Sequence, residues 1–394
     1  PMALSTLKVK MEIFDINRID NILRYEVEHL FSPEMRGMEG DQLIYEGQLK
    51  FGSLSALDPL VSRFHGLGYD VRILSNETRI TLIFSHLQET RPTKAPKKEK
   101  RFGIHLFLFL LTFLTTLWAG ALQYNVDILT EPGRIWMGLA FAIPLLIILL
   151  AHEMGHYILS LRHNIRSTLP YFIPFPNIIG TMGAVIKMKS AIPDRKALMD
   201  VGMAGPLAGA ILAIPTIIIG LKLSSIVTVT STEMAGGINL GESILFKMLT
   251  WMVHGHLPAN AQVMIHPMAF AGWVGLLVTF MNLFPASQLD GGHISYALFG
   301  AKHRTIGKIT CLVFAIMGIF YWPWYIWMIF VFFIGLGHPP PMNEAEPLDR
   351  KRRILGFVCF GLFILTCTPR PCYGLDIPVD LPSLIRGIVG AIIR

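Results

Sequence analysis

The stretch Leu149-Leu150-Ala151-His152-Glu153-Met154-Gly155-His156 decides how this chain is read. It closes the apolar run Ile135–Ala151, which is otherwise hydrocarbon of membrane-spanning character. Histidines four positions apart lie on one helix face, a turn from each other, and can share one zinc ion. The glutamate between them is then placed as a general base toward a water at the metal. Ionisable side chains inside a span cost about 2.5–3.5 kcal/mol each on insertion scales, so they mark function by default.

The rest of the composition agrees with a membrane protein. Hydrophobic residues make up 52% of the 394 and charged residues only 15%, against about 25% charged in an average soluble chain. The net charge of +7 does not point to nucleic acid, because Lys and Arg gather at the ends of apolar runs. Pro1-Met2-Ala3-Leu4 carries no apolar signal core, so a cleaved secretory peptide is not expected. The four cysteines form no CxxC motif, which leaves zinc to His and carboxylate ligands. Cys311 and Cys359 read as small core residues, and Cys367 and Cys372 could pair in an oxidising compartment.

Four segments are expected. Residues 1–90 form a small soluble α+β domain, with strands at Gln42–Phe51, Asp70–Leu74 and Arg79–Phe84 and a helix at Leu54–Leu67. Residues 91–102 are a basic tether suited to anionic headgroups, and 369–394 are a C-terminal tail. Between them, 103–368 holds candidate spans at about 103–123, 135–161, 197–221, 264–284, 305–322, 324–337 and 354–368. The fold class is therefore mainly α, a polytopic membrane protein with six or seven transmembrane helices. Basic residues at 91–101, Arg162, Arg166, Arg195, Lys196, Lys302, Arg304 and 350–353 fall on one side if spans alternate, which puts the N-terminal domain in the cytosol or its equivalent. Residues 165–193 are apolar but broken by Pro and Gly, and read as a re-entrant β-hairpin lining a cavity.

A catalytic zinc takes three protein ligands. His254, His256 and His266 fall in or near an outer loop, on the wrong side; His163 lies just past its span and His338 borders Pro339–Pro341. Asp290 stands in Asn282-Leu283-Phe284-Pro285-Ala286-Ser287-Gln288-Leu289-Asp290-Gly291-Gly292-His293, where a helix is interrupted near the same depth. A carboxylate there needs a cation. Asp290 is the expected third ligand and His293 the runner-up.

His152-Glu153-x-x-His156 together with Asn282-x-x-Pro285-x-x-x-Leu289-Asp290-Gly291 resembles the site-2 protease family of intramembrane zinc metalloproteases, over roughly residues 135–300. Gly202-Met203-Ala204-Gly205-Pro206-Leu207-Ala208-Gly209 also looks like that family's small-residue segment, whose expected role is close helix packing. The resemblance implies one zinc held by His152, His156 and Asp290, with Glu153 activating water and Asn282 near the developing oxyanion. It further implies a transmembrane substrate helix, unwound and held as a strand along Gly183, Ala184, Val185, Ile186 and Lys187. The segment 222–263 is too short for a PDZ domain, which points to the PDZ-lacking branches of cyanobacteria, plastids and other prokaryotes, and to the N-terminal module for substrate selection. The expected partners are thus a membrane-protein substrate and the lipid bilayer, in a prokaryotic inner membrane or a plastid membrane. A metal transporter would spread its ligands along a path instead of converging them at one depth. A catalytically inactive scaffold would not need an intact base between two ligands.

Overall fold

The computed structural model describes residues 16–23, 31–39, 42–49, 58–76, 79–86, 102–127, 129–228, 239–258, 260–344 and 346–373. The basic tether at 91–101 and the tail beyond Tyr373 lie outside them, as do Phe51 and Leu54.

The N-terminal part is a helix, two strands, a helix and two strands: α1 (Ile16–Asn21), β1 (Phe31–Glu39), β2 (Gln42–Leu49), α2 (Asp58–Gly66), β3 (Tyr69–Asn76) and β4 (Arg79–His86). The strands form one antiparallel sheet in the order β1-β2-β4-β3. Ile19, Leu23, Phe64, Leu82 and Phe84 are wholly buried in its core. Strand β1 and helix α1 were not expected from the sequence. Pro33 and Gly37 lower the strand propensity of 31–39, and both are accommodated because β1 is an edge strand with a register shift between Pro33 and Met35. Burial, together with the hydrogen bond to Asp20, raises the pKa of the Tyr45 phenol.

The rest is mainly helical: α3 (Phe102–Leu122), a 3₁₀ turn (Pro132–Gly138), α4 (Leu139–Arg162), the hairpin β5 (Tyr171–Pro174) and β6 (Thr181–Val185), and α5 (Arg195–Lys222). Then come β7 (Ser225–Thr228), β8 (Asn239–Leu240), α6 (Ile244–His254), β9 (Ala261–Met264), α7 (Pro267–Asn282), α8 (Asp290–Phe299), α9 (His303–Phe320), α10 (Pro323–Ile334), α11 (Arg350–Thr366) and β10 (Cys372–Tyr373). Each expected span falls on a helix. Among the described residues, four stretches are long and apolar enough to cross a membrane: Phe102–Leu122, Pro132–Arg162, Arg195–Lys222 and Asp290–Phe320. Helices α7 and α10 are apolar but have 16 and 12 residues, short of the ~20 of a full span. Helix α6 arises inside the stretch read as an outer loop, started by Ser243, whose hydroxyl accepts from the Phe246 N–H. All four cysteines are free thiols.

Close backbone approach holds the helices that carry the site. A Cβ on Gly155 would meet the Ala204 carbonyl at 2.6 Å, so α4 and α5 touch where both are small. Near the same end Asp200 is buried and accepts a two-armed hydrogen bond from Arg352, at 2.8 and 2.6 Å, as well as His163 Nε2 at 2.8 Å. This cluster joins α4, α5 and α11, and gives Arg352 a structural role beyond that of an orienting charge. The hairpin packs on α3 through Phe109 against Phe172 and His105 against Tyr171. Asn343 bridges in parallel to Ile73 of β3 and to Asp194, the N-cap of α5, and so joins the N-terminal sheet to the start of that helix.

Candidate metal centre

Helix α4 brings His152, Glu153 and His156 to its buried face. Asp290 arrives from the first position of α8, and the residues after it explain how. A Cβ on Gly291 would lie 2.0 Å from the Leu283 carbonyl oxygen, and one on Gly292 would lie 2.3 Å from that of Ser287. The chain between α7 and α8 therefore folds back onto the helix start, a path closed to residues with side chains. That turn delivers the carboxylate to the histidines of α4.

His152 Nε2 and His156 Nε2 are 3.2 Å apart, and each is 3.2 Å from Asp290 Oδ2. Tetrahedral zinc with bonds of about 2.0–2.1 Å separates its ligand atoms by about 3.3–3.4 Å. The three donors therefore fit one face of a zinc tetrahedron, and the set of two imidazoles and one carboxylate suits that metal. Among the described residues this is the one group of three or more His, Cys, Asp or Glu whose donor atoms converge in this way. His156 Nδ1 lies 2.7 Å from the Val201 carbonyl oxygen. That carbonyl can only accept, so the proton is on Nδ1 and the Nε2 lone pair faces the centre.

Helix α5 does more than pack. A Cβ on Gly205 would lie 2.0 Å from His156 Nε2, and one on Gly209 would lie 3.2 Å from His152 Nδ1. The small-residue segment, read from sequence as helix packing, thus makes the room in which the imidazoles sit. The signal for this was available: Gly205 and Gly209 repeat with the same four-residue spacing as the two histidines.

Asn282, at the end of α7, brings Nδ2 to 3.1 Å from His152 Nε2, at the margin of the triangle. Glu153 is buried, and the backbone of Ile186, just past β6, lies near its carboxylate. The end of the hairpin thus approaches the glutamate. Gly183 takes a φ of +98°, and Val185 is half exposed. Both backbone groups of Lys187 are engaged by Thr168, its N–H donating to Thr168 Oγ1 and its carbonyl accepting from the Thr168 N–H, each at 3.0 Å. His293 is buried but turned away, its Nδ1 2.5 Å from His338 Nε2. His163 binds Asp200, His254 ends α6, His256 lies just beyond it, and His266 caps α7; none joins the converging donors.

A model of Peptidase family M50 matches residues 140–322, which contain the whole triangle, Glu153 and Asn282. The chain is similar to the probable zinc metalloprotease EGY1, chloroplastic, of Arabidopsis thaliana, with 30% identity over 318 residues, covering 73% of this chain and 56% of that protein. Its rice counterpart (Oryza sativa subsp. japonica) is 32% identical over 241 residues, covering 59% and 40%. The probable zinc metalloprotease EGY2, chloroplastic, of Arabidopsis thaliana is 30% identical over 242 residues, covering 59% and 42%. The chain spans 56% or less of the length of these relatives. With the convergent donors and these matches together, residues 140–322 belong to peptidase family M50, the site-2 protease family.

Proposed function

We propose that the protein is a zinc-dependent intramembrane endopeptidase that hydrolyses peptide bonds within or near transmembrane segments of membrane-protein substrates. The observation that carries this reading is the 3.2 Å triangle of His152, His156 and Asp290 beside a buried glutamate. His152, His156 and Asp290 would hold the metal. When bound, zinc polarises the scissile carbonyl and lowers the pKa of a neighbouring water to about 7. Glu153 takes the proton of the attacking water and gives it to the leaving amide nitrogen. Asn282 donates its amide N–H to the carbonyl oxygen as negative charge develops there, at the edge of the triangle where it already stands.

The substrate reading rests on the hairpin. Residues Gly183–Lys187 would hold an unwound substrate helix extended, by main-chain pairing along the edge of β6. The engagement of Lys187 by Thr168 favours the part of that edge nearer Gly183. In this reading the hairpin is re-entrant, 103–368 is the membrane domain with six or seven spans, and residues 1–90 are a cytosolic module. The bridge of Asn343 to both Ile73 and Asp194 supports a role for that module in presenting substrate to the site. The membrane would be a prokaryotic inner membrane or a plastid membrane, the latter favoured by relatives described as chloroplastic.

The test is Glu153→Gln in the full chain, purified in detergent and assayed on a transmembrane peptide. It should keep one zinc per chain while hydrolysis falls about 10²–10⁴-fold. Loss of zinc from that variant would make Glu153 a ligand, and unchanged hydrolysis would remove it from the reaction.

A further inference from the structure

A cavity of about 510 Å³ lies between the start of α9 and the chain leaving α10, and no residue of the metal triangle lines it. That volume is within the ~300–1,000 Å³ usual for ligand pockets. Its polar wall is made by His303, Arg304 and Lys308 from α9, with Tyr296 and His338 across from them; Phe332 supplies an apolar flank. Among the described residues no carboxylate lines it. Glu344 accepts a hydrogen bond from the Tyr296 hydroxyl of this wall.

Three observations concern what the cavity would hold. Arg304 and Lys308 are four positions apart on one helix face, so their charges repel each other, and neither makes an ion pair with a described residue. His303 is 1% exposed, and both of its ring nitrogens are buried without a hydrogen-bond partner, an arrangement that is costly unless something completes it. Both charges also sit in the first turns of an 18-residue helix, the end whose dipole favours an anion.

We propose that this cavity is a binding site for a phosphate group, held by Arg304 and Lys308. A phosphate suits it better than a carboxylate, because it offers several acceptor oxygens to donors converging from different positions. Burial lowers the pKa of His338 to about 3. That imidazole is therefore neutral, and the site's charge comes from Arg304 and Lys308. The phosphate can be free or the headgroup of an anionic phospholipid. The exposed aromatic Phe332 at the flank would lie along the lipid's glycerol and acyl chain. His338 also contacts His293, so the cavity wall is joined to the helix that carries Asp290.

The experiment uses the zinc-loaded full chain in detergent and two probes. Inorganic phosphate is titrated by calorimetry, and native mass spectrometry scores retention of phosphatidylglycerol against phosphatidylcholine. The variants are Arg304→Gln/Lys308→Gln and the control Lys302→Gln, whose side chain is outside the lining. The double variant should bind its anion about 30-fold more weakly, each lost cation near an anionic surface being worth about fivefold. Binding by the control and the zinc content should not change. Selective retention of phosphatidylglycerol without phosphate binding identifies a headgroup site, whereas phosphate binding without lipid selectivity identifies free phosphate. Equal affinity of wild type and double variant for both probes, or binding of neither probe by wild type, overturns the proposal.

Discussion

Replacing Gly205 with Ala adds one methyl group at the most crowded point of the metal centre. The new Cβ would lie 2.0 Å from His156 Nε2 and 2.5 Å from Cδ2 and Cε1, where ordinary contact begins at 3.4 Å. The imidazole must therefore retreat by about 1.4 Å. Its hydrogen bond to the Val201 carbonyl, now 2.7 Å, would stretch to about 4 Å and be lost. Metal–ligand bonds tolerate only about 0.2 Å, so the 3.2 Å spacing to His152 and Asp290 could not be kept. The expected result is a fall of roughly 10–100-fold in zinc affinity, the range measured when a ligand's supporting contact is removed. Overpacking should cost about 1–3 kcal/mol of stability at the same time. Zinc stoichiometry by mass spectrometry and chelator competition would measure the first, and thermal unfolding in detergent the second. Gly209→Ala is the internal comparison, because its Cβ would stand 3.2 Å from His152 Nδ1 and needs a shift of only a few tenths of an ångström. Its zinc affinity should fall much less. A Gly205→Ala protein that binds zinc like the wild type, or a Gly209→Ala protein that is worse, would refute the view that α5 shapes the ligand pocket.

Asp290→Ala should lose zinc, whereas His293→Ala, which removes a ring paired with His338, should keep it; a fully zinc-loaded Asp290→Ala protein would end the assignment. Gly183→Val meets open space but must adopt a φ of +98°, a strain of about 1–3 kcal/mol that should distort the strand edge. Cleavage of a transmembrane peptide should fall while zinc content stays at one per chain, and normal cleavage would mean that substrate is held elsewhere. With seven spans, cysteines introduced at Ser53 and Asp380 should be labelled from opposite sides of the membrane; labelling from the same side would mean that α9 and α10 do not both cross.

The group of possible metal ligands was legible in the sequence because its signals are short-range. The spacing of His152 and His156 is a helix-face relation that needs no partner, and a carboxylate at a Pro- and Gly-broken helix end is conspicuous in a chain with so few charges. The apolar runs likewise marked the helices, because in hydrocarbon every backbone polar group must be paired within its own segment. Only the tertiary structure decided how those pieces meet. Strand β1 exists despite Pro33 because the sheet leaves its outer edge unpaired, and Arg352 is bound to Asp200 across 152 positions. Gly205 and Gly209 looked like packing residues until the fold set them against the imidazoles. The glycines after Asp290 mattered once the carbonyls of Leu283 and Ser287 were seen beside them. Such contacts join residues far apart in the chain, and what each position must accommodate is set by the neighbour the fold delivers, which local pattern does not encode.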